Sequence, residues 1–232
     1  MNTDRLLAAT LDEFRQVGTC VVASAIETFN VRLRNTGFAD SSIRCIFQDQ
    51  APVVGYAVTA RIRSAEPPME GASYYYRTDW LSHILTIPEP RIAIIEDVDK
   101  HPGLGAFVGE VQASILLALG CKGLVTNGAV RDLREVQKTG FQMFAGNVSV
   151  SHAYAHVFEF GGTVAVGGMK VRPGDLIQGD LHGVLTIPLD IADRVPSVAR
   201  AILRKRERLN SCCHSSDFGI EKLSETLKEL ER

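Results

Sequence analysis

Residues 109–132 read GEVQASILLALGCKGLVTNGAVRD, and this stretch decides the fold class of the chain. Glu110 opens an apolar-periodic segment that ends at Gly120, which predicts a helix. The run 123–126 is short and apolar, which predicts a buried strand, and Asn127-Gly128 predicts a turn after it. The apolar face of the helix is predicted to comprise Val111, Ile115, Leu116 and Leu119.

A second helix is predicted over 131–138, because Gly140 is the type of residue that commonly follows a helix end. The order of helix, strand and helix is typical of an α/β fold. In α/β units, ligands gather beyond the carboxyl ends of strands, where loops and helix N-termini meet. Glu110 and the Arg131-Asp132 pair are therefore both expected at that edge of the sheet.

Short apolar runs on both sides of this stretch predict further strands. The runs 52–62 and 91–96 precede it, and a loop with Gly103, Gly105 and Gly109 leads into the first helix. The runs that follow it predict β-hairpins or a small barrel, and they are 163–167, 169–171, 175–178 and 184–187. Helical spacing predicts a first helix with Leu6, Leu7, Leu11, Phe14 and Val17, a later helix with Ile191, Val195, Val198 and Ile202, and an amphipathic segment over 217–232.

The composition excludes several classes of protein. The 232 residues are 45% hydrophobic, which is enough to cover a substantial core. The charged fraction is 22% and the formal net charge is -2, so neither nucleic acid nor a membrane surface is expected as a partner. No stretch approaches the roughly 20 apolar residues that span a bilayer. Five cysteines without a C-x-x-C spacing predict reduced thiols in a cytoplasm.

Two patterns that resemble known motifs are weak. After Gly103 and Gly105, the third position of a dinucleotide fingerprint is Val108, whose side chain would obstruct close approach of helix and strand. His152 and His156 lie four residues apart, as two metal ligands on a helix would, but no carboxylate lies between them. Hydrogen-bonded histidines are the preferred interpretation, and metal ligands are the alternative.

Each residue of the central pattern has a structural alternative. Glu110 in a first helical turn favours the macrodipole, and Asp132 with Glu135 three residues later matches a capping box. Taken together with Arg131, the two acids indicate chemistry. An arginine fork matches a substrate carboxylate, and neighbouring carboxylates hold a hard divalent cation. This combination suits a 2-oxo acid.

The acid, the twenty intervening residues and the Arg-Asp pair resemble the signature of the RraA-like family, whose members include divalent-metal-dependent 4-hydroxy-4-methyl-2-oxoglutarate aldolases. The first acid is usually Asp in that family and is Glu110 here. The similarity extends to GYAVTARI before the pattern and to VRPGDLIQGDLHGVLTIP after it. The resemblance implies an α/β, swivelling β/β/α domain with flanking N- and C-terminal helices. It implies one RraA-like domain over 1–232, with 189–232 as a C-terminal helical extension.

The resemblance also implies the roles of individual residues. Asp132 is implied to hold Mg²⁺ or Mn²⁺, and Arg131 to bind the pyruvoyl carboxylate or keto oxygen. Glu110 is implied to act through a water of the metal. The backbone amides of Val111 and Gln112 are implied to bind the substrate carboxylate, a placement that a helix N-terminus also favours on physical grounds.

Further residues are candidates for the surroundings of the site. Family members assemble as trimers or dimers of trimers with active sites between subunits, and an acid near the C-terminus of a neighbouring subunit completes each site. Glu207 is the candidate for that acid, and a solvated surface charge is its alternative. His182 is a candidate for the mouth of the site. Tyr74–Tyr76 and His83 are candidates for substrate selection.

Three functions remain open. The leading one is a metal-dependent lyase that cleaves a 4-hydroxy-2-oxo acid to pyruvate and a second carbonyl product, with oxaloacetate decarboxylation as a related activity, because both reactions leave pyruvate enolate. The second is a non-catalytic regulator of the RraA type, which binds a ribonuclease. The third is a Schiff-base aldolase, for which Lys122 is the candidate lysine.

Overall fold

The computed structural model describes residues 8–68 and 78–231, which form a curved mixed sheet with helices around it. The strands are β1 (Arg44–Cys45), β2 (Val53–Arg63), β3 (Arg91–Asp97), β4 (Ala106–Val108), β5 (Cys121–Val130), β6 (Gln142–Val148), β7 (His156–Phe160), β8 (Val164–Val166), β9 (Met169–Val171), β10 (Leu176–Asp180) and β11 (Gly183–Ile187). The helices are α1 (Ala8–Arg15), α2 (Thr19–Glu27), α3 (Thr78–Ile84), α4 (Glu110–Ala118), α5 (Leu133–Thr139), α6 (Val195–Cys213) and α7 (Ile220–Glu231).

Parallel strands form the middle of the sheet, in the order β6-β5-β3-β2. Their sequences are nearly continuous apolar runs, such as RIAIIED in β3, because parallel strands are covered on both faces. The strands end at a common edge, which we call the carboxyl edge and which holds Arg63, Asp97, Val130 and Val148. The opposite edge is called the amino edge. The predicted α/β class is confirmed.

Antiparallel strands continue the sheet beside β2. β10 pairs with the first half of β2 and forms a hairpin with β11, whereas β7 pairs with the second half of β2. The sheet is strongly curved, which brings Gly179 of β10 close to the Phe144 ring of β6. A Cβ added at Gly179 would lie 2.5 Å from Cζ of Phe144. β8 and β9 form a separate hairpin. The predicted hairpins are confirmed.

Hydrophobic clusters cover the faces of the sheet and fill its concave side. The cluster beneath α3, α4 and α5 includes Val58, Trp80, Ile95, Leu116, Leu124 and Met143. The cluster among α1, α2, α6 and the β2-β10-β11 strands includes Phe14, Val22, Tyr56, Leu176 and Ala199. The cluster on the concave side includes Ile94, Val125, Phe144, Met169 and Ile177. Packing on both faces fixes the ends of the strands, and therefore the edge that carries the candidate site.

The predicted terminal helices are also present. In α1, Leu11 and Phe14 are buried, and Val17 is buried just after the helix ends, whereas Leu6 and Leu7 lie outside the described residues. α6 packs on α2 near its start, and α7 packs on α6. The prediction of flanking N- and C-terminal helices is confirmed.

The predicted turn at Asn127-Gly128 is wrong, because both residues lie inside β5. The side chain of Asn127 pairs with the backbone of β3: its Oδ1 accepts from the Asp97 N–H at 2.8 Å and its Nδ2 donates to the Asp97 carbonyl at 2.9 Å. The register of β5 against β6 shifts between Thr126 and Ala129, which is a bulge. The asparagine therefore continues the sheet with its side chain where the backbone pairing is interrupted.

The predicted apolar face of α4 is wrong in part. Gln112, Ala113 and Leu116 are the buried residues, while Val111 is 60% exposed. The helix is apolar on several sides, so spacing alone did not define which side packs against the sheet. The ends of α4 and α5 agree with prediction, since Gly120 and Gly140 follow them with a φ of 77° each, a left-handed conformation that favours glycine.

The five cysteines are free, with Cys20 and Cys213 exposed and the other three buried. Burial raises the pKa of Cys121 to about 12, so this thiol stays protonated at neutral pH. Over the ranges that the structure describes, none of the helices combines the length and apolar character that crossing a membrane requires.

Candidate active site

The fold brings the two ends of the 109–132 stretch together at the carboxyl edge. β4 lies parallel to the end of β5, with Val108 opposite Val130. The N–H of Arg131 donates to the Val108 carbonyl at 3.1 Å. Glu110, which opens α4, therefore lies beside Arg131 and Asp132, as the sequence predicts. The short strand β4 occupies part of what the sequence predicted to be a loop.

The carboxylate of Asp132 connects these two segments. Its Oδ2 accepts from the Glu110 N–H at 3.1 Å, and its Oδ1 accepts from Nε of Arg131 at 3.1 Å. Asp132 precedes α5 but makes no side-chain cap of that helix, and its backbone is left-handed with φ 53° and ψ 42°. The structural alternative for Asp132, a capping box with Glu135, is therefore not what the structure shows. The left-handed turn takes the carboxylate away from α5 and toward the start of α4.

Gly109 is the residue that permits this contact. A Cβ added there would lie 2.3 Å from Oδ2 of Asp132 and 2.9 Å from Cγ of Arg131. Both distances are shorter than carbon and oxygen atoms tolerate without movement. Any side chain at position 109 would displace the carboxylate or the arginine, so the glycine that begins the stretch is explained by close approach.

The site holds an ionised carboxylate next to a fixed cation. Burial raises the pKa of Asp132, but the hydrogen bond from the Glu110 N–H and the Arg131 guanidinium outweigh burial and leave that pKa below its ordinary value. Both side chains are about one-third exposed, so a ligand can reach them. Nη1 of Arg131 also donates to the Val150 carbonyl at 3.4 Å. A guanidinium has five N–H donors, so Arg131 retains donors for a ligand.

The start of α4 lies at the same place. The first N–H groups of a helix have no acceptor within the helix, and the macrodipole favours an anion there. The Glu110 N–H is used by Asp132, and the backbone amides of Val111 and Gln112 follow it. The Glu110 side chain is exposed. The start of α4 can therefore bind an anion, and the side chains of Glu110, Arg131 and Asp132 belong to the same segment or the adjacent one.

The loop after β6 closes one side of the site. Arg131 donates to Val150 of this loop, and Nδ1 of His152 lies 2.7 Å from the Ala106 carbonyl of β4. Nδ1 of His156 lies 2.7 Å from the Tyr154 carbonyl. The prediction that the two histidines are hydrogen-bonded is confirmed, and they do not share a helix. The contact with Ala106 holds His152 against β4, the strand that leads into Gly109 and the start of α4.

The sequence alone did not assign His152 to the site. Its place there depends on the end of β6 lying next to the end of β5, a tertiary relation that residue spacing does not show. The loop between β3 and β4 is a second feature that the sequence did not reveal. Buried Asp97 holds it, because Oδ2 accepts from the Gly103 N–H at 2.8 Å and Oδ1 accepts from the Asp99 N–H at 3.1 Å.

Other candidate residues lie elsewhere in the chain. His182 is in the turn between β10 and β11, where Gly179 pairs with Val53, the first residue of β2. This turn is at the amino edge, whereas Arg131 follows the last residue of β5. His182 therefore does not lie at the Arg131 site of its own chain. Its N–H donates to buried Asp180 at 2.8 Å, which orders the turn.

Lys122 and Glu207 are also apart from this site. Lys122 is the second residue of β5, so it lies at the amino edge, and it is exposed. Glu207 is exposed on α6. Tyr74–Tyr76 lie outside the described residues. His83 packs between Trp80 and Phe160, with ring centroids at 6.4 and 5.3 Å.

The donor set at the carboxyl edge suits a hard cation. Within residues 8–68 and 78–231, three or more His, Cys, Asp or Glu side chains do not gather as they would around an enclosed metal. Asp132 and Glu110 provide carboxylate oxygens only. Mg²⁺ usually keeps several waters and binds through one or two carboxylates and substrate oxygens, so these two acids fit Mg²⁺ or Mn²⁺ better than zinc.

Comparison with known proteins gives a family match over most of the chain. A family model described as RraA-like: Aldolase/RraA matches residues 19–186. A protein of Halalkalibacterium halodurans named "Putative 4-hydroxy-4-methyl-2-oxoglutarate aldolase" is 33% identical over 84 residues, which cover 36% of this chain and 40% of that protein. An uncharacterized protein of Methanocaldococcus jannaschii is 27% identical over 172 residues, which cover 73% of this chain and 76% of that protein. The chain thus aligns with less than half of the named aldolase.

Solved structures share the fold. An uncharacterized protein from Pseudomonas syringae pv. tomato has a TM-score of 0.76 at 19% identity, over 99% of this chain and 97% of that one. A protein of Streptomyces coelicolor is described as an unusual member of the RNase ES inhibitor RraA protein family. It has a TM-score of 0.68 at 18% identity, over 88% of this chain and 97% of that one. At these identities the likeness shows the fold alone, and the fold predicted from the resemblance is confirmed.

Proposed function

The chain belongs to the RraA-like family, and from this premise we propose that it is a divalent-metal-dependent carbon–carbon lyase. It cleaves a 4-hydroxy-2-oxo acid, such as 4-hydroxy-4-methyl-2-oxoglutarate, to pyruvate and a second carbonyl product, and it decarboxylates oxaloacetate as a related activity. One observation supports the proposal above others. The carboxylate of Asp132 is kept ionised beside Arg131 at the start of α4, an arrangement that suits a hard cation and the carboxylate of a 2-oxo acid together.

In this proposal Asp132 holds Mg²⁺ or Mn²⁺, and Glu110, whose backbone N–H donates to Asp132, acts through the waters of that cation. The bound cation supplies Lewis-acid stabilisation of the negative charge that develops on the 2-oxo oxygen. Arg131 binds the substrate carboxylate or keto oxygen through the donors of its planar fork. The backbone amides of Val111 and Gln112 bind the carboxylate at the helix start. Substrate is thus held with its C3–C4 bond next to the charged groups.

The subunit arrangement is also part of the proposal. The family match ends at residue 186, and α6 and α7 lie beyond it, which supports a single RraA-like domain over 1–232 with 189–232 as a helical extension. We propose a homotrimer or a dimer of trimers, in which exposed Glu207 on α6 reaches the site of a neighbouring copy. The sites then lie between subunits.

The proposed activity is tested by pyruvate release over a panel of 4-hydroxy-2-oxo acids and oxaloacetate, with and without Mg²⁺ or Mn²⁺. We expect EDTA to abolish activity and either cation to restore it, because the electron sink is a cation. Borohydride with pyruvate should not inactivate the protein, because no lysine lies with Arg131 and Asp132 in the contacts of the described site. Covalent trapping would contradict the proposal, and absence of turnover across the panel would favour an RraA-type regulator.

Replacing Arg131 with lysine tests the carboxylate-binding role. Lysine keeps the charge but loses the planar fork, so kcat/KM should fall about tenfold or more. The melting temperature should stay near that of the wild type, because Arg131 is half-buried and its contacts are with Asp132 and a loop carbonyl. Arg134→Lys is the matched control, since Arg134 is exposed on α5 and should tolerate the change. Wild-type kcat/KM in the Arg131 variant would reject the role.

A further inference from the structure

An open cavity of about 500 Å³ lies at the amino edge of the sheet. Four segments line it: the end of α1 with Arg15, the run 50–54 that leads into β2, Lys122 of β5, and Gly140 after α5. Val130, which precedes Arg131, is at the other end of β5, roughly 25 Å from Lys122 at about 3.3 Å per residue. The cavity has the size of a small-molecule site and is separate from the candidate active site.

Lys122 lies at a bulge of β5. Cys121 pairs with Arg91 of β3, and Gly123 pairs with the next residue of that strand, so the register shifts at Lys122. The pairing of β5 with β6 begins only at Gly123. A bulge leaves one residue unpaired and commonly redirects a side chain. Cys121 and Gly123 are buried, whereas Lys122 is exposed and lines the cavity.

Arg15, the second cation of the cavity, is held in place at the end of α1. Buried Gln178 of β10 donates from Nε2 to the Phe14 carbonyl at 2.8 Å and to the Val17 carbonyl at 2.7 Å. These carbonyls lie on either side of Arg15 in the chain, so the end of α1 is fixed on the sheet. Nη1 of Arg15 contacts Asp12, but a guanidinium has five N–H donors. Arg15 therefore retains donors for a ligand.

The lining combines positive charge with apolar surface. Arg15 and Lys122 are cationic, and none of the lining residues that the structure describes is acidic. Asp12 offsets one of the two charges, so one further negative charge completes the balance. The run 51–54 reads APVV and offers an apolar wall. An arginine fork matches a carboxylate, and a lysine can donate to the same group.

We propose that this cavity is a second ligand site, which binds a small organic monocarboxylate. The carboxylate lies between Arg15 and Lys122, and the apolar body of the ligand lies against the run 51–54. The inference goes beyond the proposed lyase function and does not depend on it, because the residues belong to the opposite edge of the sheet.

Benzoate is the probe, because it joins one carboxylate to an apolar ring. Acetylation of the wild-type protein by an N-hydroxysuccinimide ester, followed by mass spectrometry, reports the reactivity of Lys122. At a benzoate concentration about ten times Kd, acetylation of Lys122 should slow about tenfold, because only the unliganded protein reacts. Acetylation of Lys170, which is exposed on β9, should not change. Benzyl alcohol lacks the charge and should give no protection.

Two variants test the cations by calorimetric titration with benzoate. Arg15→Gln and Lys122→Gln each remove one charge from a side chain that reaches solvent, so both should fold. Each should raise Kd about tenfold, which corresponds to one charge-assisted hydrogen bond. Arg208→Gln is the matched control for Arg15, because Arg208 is also paired with an exposed carboxylate, that of Glu229. Lys170→Gln is the control for Lys122, and both controls should bind as the wild type does.

Unchanged benzoate affinity in either Arg15→Gln or Lys122→Gln would overturn the inference, and so would equal protection of Lys122 by benzyl alcohol. A Lys122 that benzoate does not protect, or that is unreactive without benzoate, would also overturn it. Absence of pyruvate release by the wild-type protein would reject the lyase function and would leave this binding test unaffected.

Discussion

Replacing Asp132 with asparagine should lower kcat/KM for pyruvate release on the order of a thousandfold and leave the fold intact. Metal stabilisation of charge is worth several kcal/mol, and each 1.4 kcal/mol is about tenfold in rate. Asparagine adopts the left-handed conformation of residue 132 as readily as aspartate does. Its side-chain oxygen can also still accept from the Glu110 N–H. The substitution thus removes the negative charge and the hydrogen bond from Nε of Arg131, which the amide nitrogen cannot accept.

The measurements are kcat/KM at saturating Mn²⁺, Mn²⁺ affinity by calorimetry, and the melting temperature. Glu135→Gln is the control, since Glu135 is the exposed partner of the capping box that the structure does not contain. It should behave as the wild type in all three. An Asp132→Asn protein with unreduced metal affinity and wild-type kcat/KM would show that the carboxylate is not a metal ligand.

Gly109→Ala should reduce kcat/KM about 100-fold although the new methyl group touches neither substrate nor cation. The added Cβ would lie 2.3 Å from Oδ2 of Asp132, so the carboxylate must move by about 1 Å to restore an ordinary contact. A misplacement of that size costs roughly 10² in rate when it affects a positioned group. The backbone of Gly109 is extended, with φ −129° and ψ −158°, so alanine can adopt it.

Gly219→Ala is a close control for this substitution. Gly219 immediately precedes α7 as Gly109 precedes α4, and a Cβ added at Gly219 meets nothing within 4 Å. We expect Gly219→Ala to keep full activity and Gly109→Ala to lose both activity and Mn²⁺ affinity, with melting temperatures of both near that of the wild type. Full activity in Gly109→Ala would show that the Asp132 carboxylate need not lie where the structure has it.

Local sequence signals were sufficient for most strands and helix ends. Met169–Val171 is predicted and observed with the same bounds, because it is a short apolar run between turn residues. Gly120 and Gly140 follow helices as expected. The errors come from tertiary contacts. Asn127 was predicted to lie in a turn. Its side chain instead forms two hydrogen bonds with the backbone of Asp97 in the neighbouring strand, and β5 continues through it.

The candidate site was predictable to the extent that its residues lie near one another in sequence. One helix and one strand separate Glu110 from the Arg131-Asp132 pair, so an α/β unit is expected to place all three residues at the same edge of the sheet. The conformation of Asp132 was not predictable, because a capping box and a left-handed residue have the same local sequence. His152 was not assigned either, since only the parallel pairing of β5 with β6 brings its loop to this edge.

The double pairing of β2 also determines the order in which the molecule can be completed during synthesis. Tyr56 pairs with Arg91 on one side and with Leu176 on the other, so one edge of β2 waits for a strand made much later. Such non-local pairing slows folding, and an unpaired strand edge favours association of nascent chains. The segments that hold Glu110, Arg131 and His152 leave the ribosome before β10 does. The carboxyl edge is therefore translated in full before the sheet acquires its last partner strands.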